Sequence, residues 1–174
     1  MVLIYIRHAN DDDKNSTFRD DAKLNDKGVN NSKKHCKYLI KKYGVPSVIV
    51  CSPFIRARET AHIFKKYIRK TFRKKIHIKI EPILGRFFSS NERHNPDIRN
   101  ETLKYKPIIE KSSDDLMKRL ESHKEKMTTK NYHSSEEVIW CISHGIIMAK
   151  LMKLYKIKGS KKHVEFLQHF KVAK

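Results

Sequence analysis

Residues 47–61 read SVIVCSPFIRARETA, an apolar run that stops at a Ser-Pro pair and gives way to a segment of helical spacing carrying Arg56 and Arg58. Ser47–Cys51 has the length and β-branched content of a buried strand. Phe54 to about Arg69 has the spacing of a helix, so a strand-to-helix junction is predicted with Arg56 at its exit. The same junction recurs on both sides of this stretch. Val2–Ile6 is a short β-branched and aromatic run that ends in Arg7-His8, and Glu137–Ile142 is an apolar run that ends in Ser-His144-Gly145 before a helical pattern from Ile146 to Tyr155. A further helix is predicted from Asp26, with Val29, Cys36, Leu39 and Ile40 facing inward, Lys41-Lys42 at its negative end, and Gly44 then Pro46 to stop it. Lys75–Glu81 (KIHIKIE) alternates as a strand should, and Ser112 or Ser113 can cap a helix that runs through Met127 with Leu116, Leu120 and Met127 on one face.

Strands and helices in alternation imply an α/β fold with a mostly parallel sheet covered by helices on both faces, in one domain spanning 1–174. Residues 83–107, ILGRFFSSNERHNPDIRNETLKYKP, carry turn formers and few periodic apolar positions, so they read as a loop or lid inserted over the site. The tail from Lys156 is expected to pack as a short final element whose type its pattern does not assign.

With 174 residues the chain is long enough for one core and too short for two ordinary ones. Lys and Arg outnumber Asp and Glu by 39 to 19, a formal charge of +20, which favours anionic partners: phosphorylated small molecules, phosphoproteins, nucleic acid or an acidic membrane surface. A lysine-rich solvated surface is the competing explanation of that charge. The basic stretch Lys65–Lys75 (KKYIRKTFRKK) is read as such a solvated helix face, with Tyr67, Ile68 and Phe72 turned partly inward, in preference to a nucleic-acid grip. Cys36, Cys51 and Cys141 are odd in number and unrelated in spacing, which fits neither a disulfide framework nor a zinc site and points to a reducing, cytoplasmic setting. No run approaches the ~20 apolar residues of a membrane span, and the opening apolar run is too short for a secretory core.

In an open α/β sheet the three junctions lie together at the carboxyl edge, where ligands bind. Two arginines, Arg7 and Arg56, and two histidines, His8 and His144, would then converge. Guanidinium forks make paired hydrogen bonds to phosphate oxygens and an imidazole can attack phosphorus, so this set suits a phosphoryl group.

Arg-His-Ala at the first strand, LNDKG at 24–28, SPFIRARETA at 52–61 and Ser-His-Gly at 143–145, in this order, resemble the pattern of the histidine phosphatase superfamily, branch 1, the phosphoglycerate-mutase-like proteins. The resemblance implies a phosphoglycerate-mutase-like three-layer sandwich. It also implies that His8 is the nucleophile that forms a phosphohistidine, that Arg7 and Arg56 clamp the phosphate, and that His144, with Gly145 beside it, contacts the transferring group. Asn15 or Lys14 reaches the phosphate in the same reading, and no metal or organic cofactor is required. Leu24, Asn25 and Gly28 match a structural turn into the first helix, and Arg119 is expected to be structural too. The arginine charges are expected to lower the pKa of His8 and keep it neutral.

Three departures from the family pattern stand out. Position 9 is Ala where Gly is usual, tolerable if the backbone there avoids positive φ. The run Asp11-Asp12-Asp13 would repel a phosphate and is expected to face away, with metal binding by its carboxylates the lesser alternative. Arg86 occupies the place of a usual acid in IEPILGRFF, leaving Glu92, in SNERHN, as the candidate proton donor and Glu81 as structural. The reading is therefore a phosphatase acting on phosphomonoesters or phosphoramidates. Its alternatives are a catalytically weak phosphate-binding or scaffold protein of the same fold, or a mutase-type phosphotransferase.

Overall fold

Leu3, Ile4, Tyr5 and Ile6 are all fully buried, which is why the first strand is apolar at successive rather than alternate positions: both of its faces are covered. Strand β1 (Val2–Arg7) sits inside a five-stranded sheet. In order along the chain come α1 (Asp26–Tyr43), β2 (Val48–Cys51), α2 (Ile55–Phe72), β3 (His77–Ile80), a 3₁₀ turn (Pro82–Leu84), α3 (Ser113–Thr128), β4 (Val138–Ser143), α4 (Gly145–Leu154) and β5 (His169–Ala173). The coordinates are a computed structural model, and the structure describes residues 1–11, 22–85, 112–128, 137–157 and 164–173.

The strand order is β3-β2-β4-β1-β5. β1 to β4 run parallel and β5 pairs antiparallel with β1 at the edge. One face buries Leu3, Tyr5, Ile139 and Cys141 with Leu116 and Leu120 of α3 and Ile147, Met148 and Leu151 of α4. The other buries Ile4, Ile6, Ile49, Trp140 and Ile142 with Cys36 and Leu39 of α1 and Ala57, Ala61, Phe64 and Ile68 of α2. The result is the mostly parallel α/β three-layer sandwich expected from the alternation. The tail that the pattern left unassigned is the antiparallel edge strand β5.

Local chemistry sets the helix ends. α1 begins at Asn25, whose side-chain oxygen accepts from the Gly28 N–H at 2.8 Å, and ends at Gly44, whose φ of 88° suits glycine. Its buried residues are Gly28, Ser32, Cys36 and Leu39, whereas Val29 and Ile40, expected inside, are only half-buried. α3 is capped by Ser112, whose hydroxyl accepts from the Asp115 N–H. On α2, Ile68 is fully buried, Tyr67 half-buried and Phe72 exposed, so the basic stretch has one apolar side on the core. The three cysteines are buried thiols, and burial pushes Cys36 and Cys51 up to about 12, so they stay protonated. No helix among the described residues is long and apolar enough to cross a membrane.

Candidate active site

The sheet order decides where the site lies. β4 sits between β1 and β2, so the junctions after β1, β2 and β4 are spatial neighbours at one carboxyl edge although they are far apart in sequence. Register sets their height: Arg7 pairs with Ser143 and Cys51 with Ile142, so His8, Ser52 and His144 leave the sheet within about one residue of each other. The His8 N–H donates to the Ser143 carbonyl at 2.9 Å and the Ser52 N–H to the Ile142 carbonyl at 3.0 Å, extending the ladders past the strand ends.

His8, Arg56 and His144 are 3%, 5% and 4% exposed, rare for such groups unless they are partnered. The His8 Nδ1 lies 2.9 Å from the Ala9 carbonyl. A carbonyl only accepts, so Nδ1 carries the proton and Nε2 presents its lone pair. The Arg56 Nε–H donates to that Nε2 at 3.2 Å. His8 is held well below its ordinary value of 6.5, first by burial and then by the Arg56 charge, with Arg7 adding less. The neutral form expected from the sequence is thus the one the structure favours, but desolvation outweighs the arginines as its cause.

The His144 ring lies 5.1 Å from that of His8, and its Nε2 is 2.8 Å from the Ser52 hydroxyl. That hydroxyl oxygen also accepts from the Phe54 N–H at 3.3 Å, so Ser52 ties the His144 ring to the start of α2. Arg7 donates to the Val164 carbonyl and stacks its guanidinium 4.0 Å above the Phe166 ring, a contact that holds a cation in place without neutralising it. A Cβ on Gly145 would lie 3.5 Å from the Arg7 guanidinium, so Gly145 adjoins the arginine as well as His144.

α2 and α4 both start at this edge, at Ile55 and Gly145. Neither has a side-chain cap or an acidic residue in its first turn, so their positive ends and orphan N–H groups add to an anion-attracting field. The loop after His8 is fixed from three directions. The Ala9 N–H donates to the Thr60 hydroxyl at 3.2 Å, the Asn25 N–H to the Asn10 carbonyl at 3.2 Å, and the Asn25 side-chain amide to the Asp11 carbonyl at 3.0 Å. Gly28 packs so closely that a Cβ would fall 2.0 Å from the Asn10 oxygen. LNDKG is therefore a clamp on the loop behind His8, structural as expected. Arg119 is structural as well, donating to the Ile83 carbonyl at 2.7 Å. Ala9 does not have positive φ, so the departure from glycine costs no backbone strain.

One expectation is overturned. Asp11 does not face away: its Oδ2 lies 3.4 Å from the Arg56 Nε and 3.9 Å from the His8 Nδ1, and it is nearly buried. The Arg56 guanidinium makes a carboxylate welcome there. Sequence reasoning missed Asp11 because a run of three aspartates reads as solvated charge. Ser52 was also missed as a partner of His144, although it sits in the decisive motif. Glu92, Asn15, Lys14, Arg86, Asp12, Asp13 and all but the first three residues of the expected lid at 83–107 lie outside the described residues. Glu81 is 3.9 Å from the Lys126 ammonium, at the end of β3, away from His8. Among the described residues no group of His, Cys, Asp and Glu is placed to hold a metal ion.

The fold agrees with the comparison to known proteins. The chain belongs to the histidine phosphatase superfamily (branch 1), whose family model matches residues 3–169. It is similar to a phosphoglycerate mutase from Bacillus anthracis str. Sterne, with a TM-score of 0.69 at 16% identity, covering 98% of this chain and 86% of that one. It is also similar to a mycobacterial glucosyl-3-phosphoglycerate phosphatase solved with VO3, with a TM-score of 0.62 at 15% identity, covering 99% and 92%. A third is the protein histidine phosphatase SixA complexed with tungstate, with a TM-score of 0.60 at 13% identity, covering 97% and 83%. At such identities the likeness is one of fold. No curated protein matches the chain in sequence.

Proposed function

We propose that this protein is a phosphatase that hydrolyses phosphomonoesters or phosphoramidates through a phosphohistidine on His8, acting on a phosphorylated small molecule or phosphoprotein in a reducing, cytoplasmic setting. The observation that carries the reading is the buried, neutral His8 with its Nδ1 proton fixed on Ala9 and its Nε2 lone pair turned toward Arg56. In the first step Nε2 forms a bond to phosphorus as the bond to the leaving group breaks, and the leaving group takes up a proton. In the second, water attacks phosphorus, the N–P bond breaks, and inorganic phosphate leaves with His8 neutral again. Arg7, Arg56, the His144 ring and the N-termini of α2 and α4 would face the charge that develops on the equatorial oxygens, and such positioning supplies most of the catalysis in phosphoryl transfer. No step calls for a metal or organic cofactor.

Proton supply to the leaving group is the weak point of the machinery. Asp11 is the described carboxylate nearest His8, and paired with Arg56 it is an acceptor. Glu92 remains the candidate donor. General-acid help is worth roughly 10²–10⁴-fold, so without it good leaving groups are favoured, phosphoramidates above all. The Asp11–Arg56 pair also favours a second reading, a phosphate-binding or scaffold protein of the same fold with little turnover, because the carboxylate competes with phosphate for the guanidinium. Mutase-type transfer to an acceptor hydroxyl is the remaining alternative, and it requires an acceptor other than water at the same phosphohistidine.

Hydrolysis of p-nitrophenyl phosphate and of a phosphoramidate by wild type and His8→Ala, with and without added metal, tests the reading. We expect wild-type activity on at least the phosphoramidate, unaffected by metal, and a loss of at least about 10³-fold in the variant. Near-normal activity of His8→Ala would reject the nucleophile. Absence of His8-dependent hydrolysis of either substrate would favour the phosphate-binding reading.

A further inference from the structure

Beside the catalytic edge, a cavity of about 320 Å³ is lined by Asn10, Asn31, Lys34, His35, Tyr38, Phe166 and Leu167. This volume lies at the small end of the ~300–1,000 Å³ usual for small-molecule sites. The cavity adjoins the reaction centre through two of its lining residues. Asn10 follows His8 by two positions, and Phe166 stacks under Arg7 at 4.0 Å with its ring 5.6 Å from that of His8. From there it runs along one face of α1, from Asn31 to Tyr38, about 10 Å at the rise of an α-helix. A leaving group that extends from a phosphate at His8 past Phe166 would lie along α1.

The lining specifies what that leaving group carries. Tyr38 is 45% exposed; its hydroxyl accepts from the Lys42 ammonium at 3.0 Å, and its ring stands 5.7 Å from the His35 ring at 31° and 5.6 Å from the His169 ring. His35 is kept neutral, held down to about 4 by burial and then by His169, so these rings form an uncharged aromatic wall. The Asn31 side-chain amide donates to the Asn10 side-chain oxygen at 3.3 Å, which leaves the Asn10 amide hydrogens and the Asn31 carbonyl to present a donor and an acceptor side by side. Lys34 is exposed at the rim. A planar heteroaromatic ring fits this lining, stacking on the wall and offering an edge to the two amides.

We propose that this cavity is the leaving-group subsite and that it takes the base of a nucleoside 5′-monophosphate or a like heterocyclic phosphate ester. The inference rests on the phosphatase reading for the placement of its phosphate but is testable by binding alone. Calorimetric titration of the non-hydrolysing His8→Ala protein with adenosine 5′-monophosphate and with ribose 5-phosphate compares ligands that share the phosphate and the 5′ oxygen and differ in the base. The base should tighten binding at least about tenfold, the usual scale of one stacked base. Tyr38→Ala, made on the same background at an exposed position, should reduce that ratio to about threefold or less while leaving ribose 5-phosphate binding unchanged. A ratio near one, no binding of the nucleotide, or a ratio that Tyr38→Ala leaves intact would overturn the subsite. Loss of His8-dependent turnover with the binding ratio preserved would instead overturn the phosphatase reading and spare the subsite.

Discussion

The N-terminus of α1 and those of α2 and α4 solve the same electrostatic problem in opposite ways. α1 closes its orphan N–H groups internally, with Asn25 on Gly28 and Asp26 in the first turn. α2 and α4 have no side-chain cap and no acid in their first turns, and α2 instead carries the buried Arg56 there. A capped positive end stabilises a helix on its own, and an uncapped one beside a buried arginine is stabilised further by an anion nearby. The difference separates what holds the loop from what the loop is held for. Asn25, Gly28 and Thr60 fix the backbone around His8, and the open ends face the same edge as His8. In the structure as it stands Asp11 supplies the anion, 3.4 Å from Arg56.

The sharpest way to break this contrast is on the uncapped side. Arg56→Ala should lower kcat/KM by about 10²–10³-fold, the usual cost of removing one donor to the developing charge, and should weaken inhibition by inorganic phosphate in parallel. Equal phosphate inhibition in the variant would mean that the anion sits elsewhere. On the capped side, Gly28→Ala should destabilise the protein by roughly 3 kcal/mol, because the new methyl meets the backbone oxygen of Asn10 rather than a side chain that can swing away. Its turnover per folded molecule should fall too, since Asn10 must move and His8 lies two residues back. Urea unfolding with active-site titration would separate the two effects.

A histidine outside the site supplies the control. His123 is buried, held down to about 4 by burial and then by the Lys126 and Arg119 charges, and its Nε2 is 3.0 Å from the Tyr5 hydroxyl on the opposite face of the sheet. The unfolded chain binds this proton below about pH 6.5 and the folded one only near 4, so stability falls as pH drops through that window, by up to about 1.4 kcal/mol per pH unit. His123→Gln should make urea midpoints measured from pH 7 to 5 less steep without changing the pH profile of turnover. The smallest effect is expected for Asn25→Ala, a loss of about 1 kcal/mol from the missing cap with kcat nearly unchanged. A large loss of kcat there would show that the clamp tunes the chemistry as well as the stability.

The elements were legible wherever burial on both faces left a continuous apolar run, as in β1, β2 and β4, or wherever a capping residue marked a helix, as at Asn25 and Ser112. The site was legible at Arg7, His8, Arg56 and His144 because all four leave strand ends in a recognisable order. β5 was not, because a five-residue edge strand with a charged member takes its identity from β1 and not from its own pattern. Asp11 was not, because its first neighbours in sequence are charges and its decisive neighbours, Arg56 and His8, are spatial. The cavity beside α1 was not either: Tyr38 and Phe166 are 128 positions apart, and only the pairing of β5 with β1 brings them to one wall.

Local pattern and motif order thus determined the α/β class, the superfamily and which residues gather at the carboxyl edge, because those depend on short-range periodicity and on residues tied to strand ends. The tertiary structure alone decided that desolvation keeps His8 neutral, that a carboxylate lies against Arg56, and that a cavity lines α1 beside the site. Each of those depends on what water is excluded from, and exclusion is a property of the packed molecule.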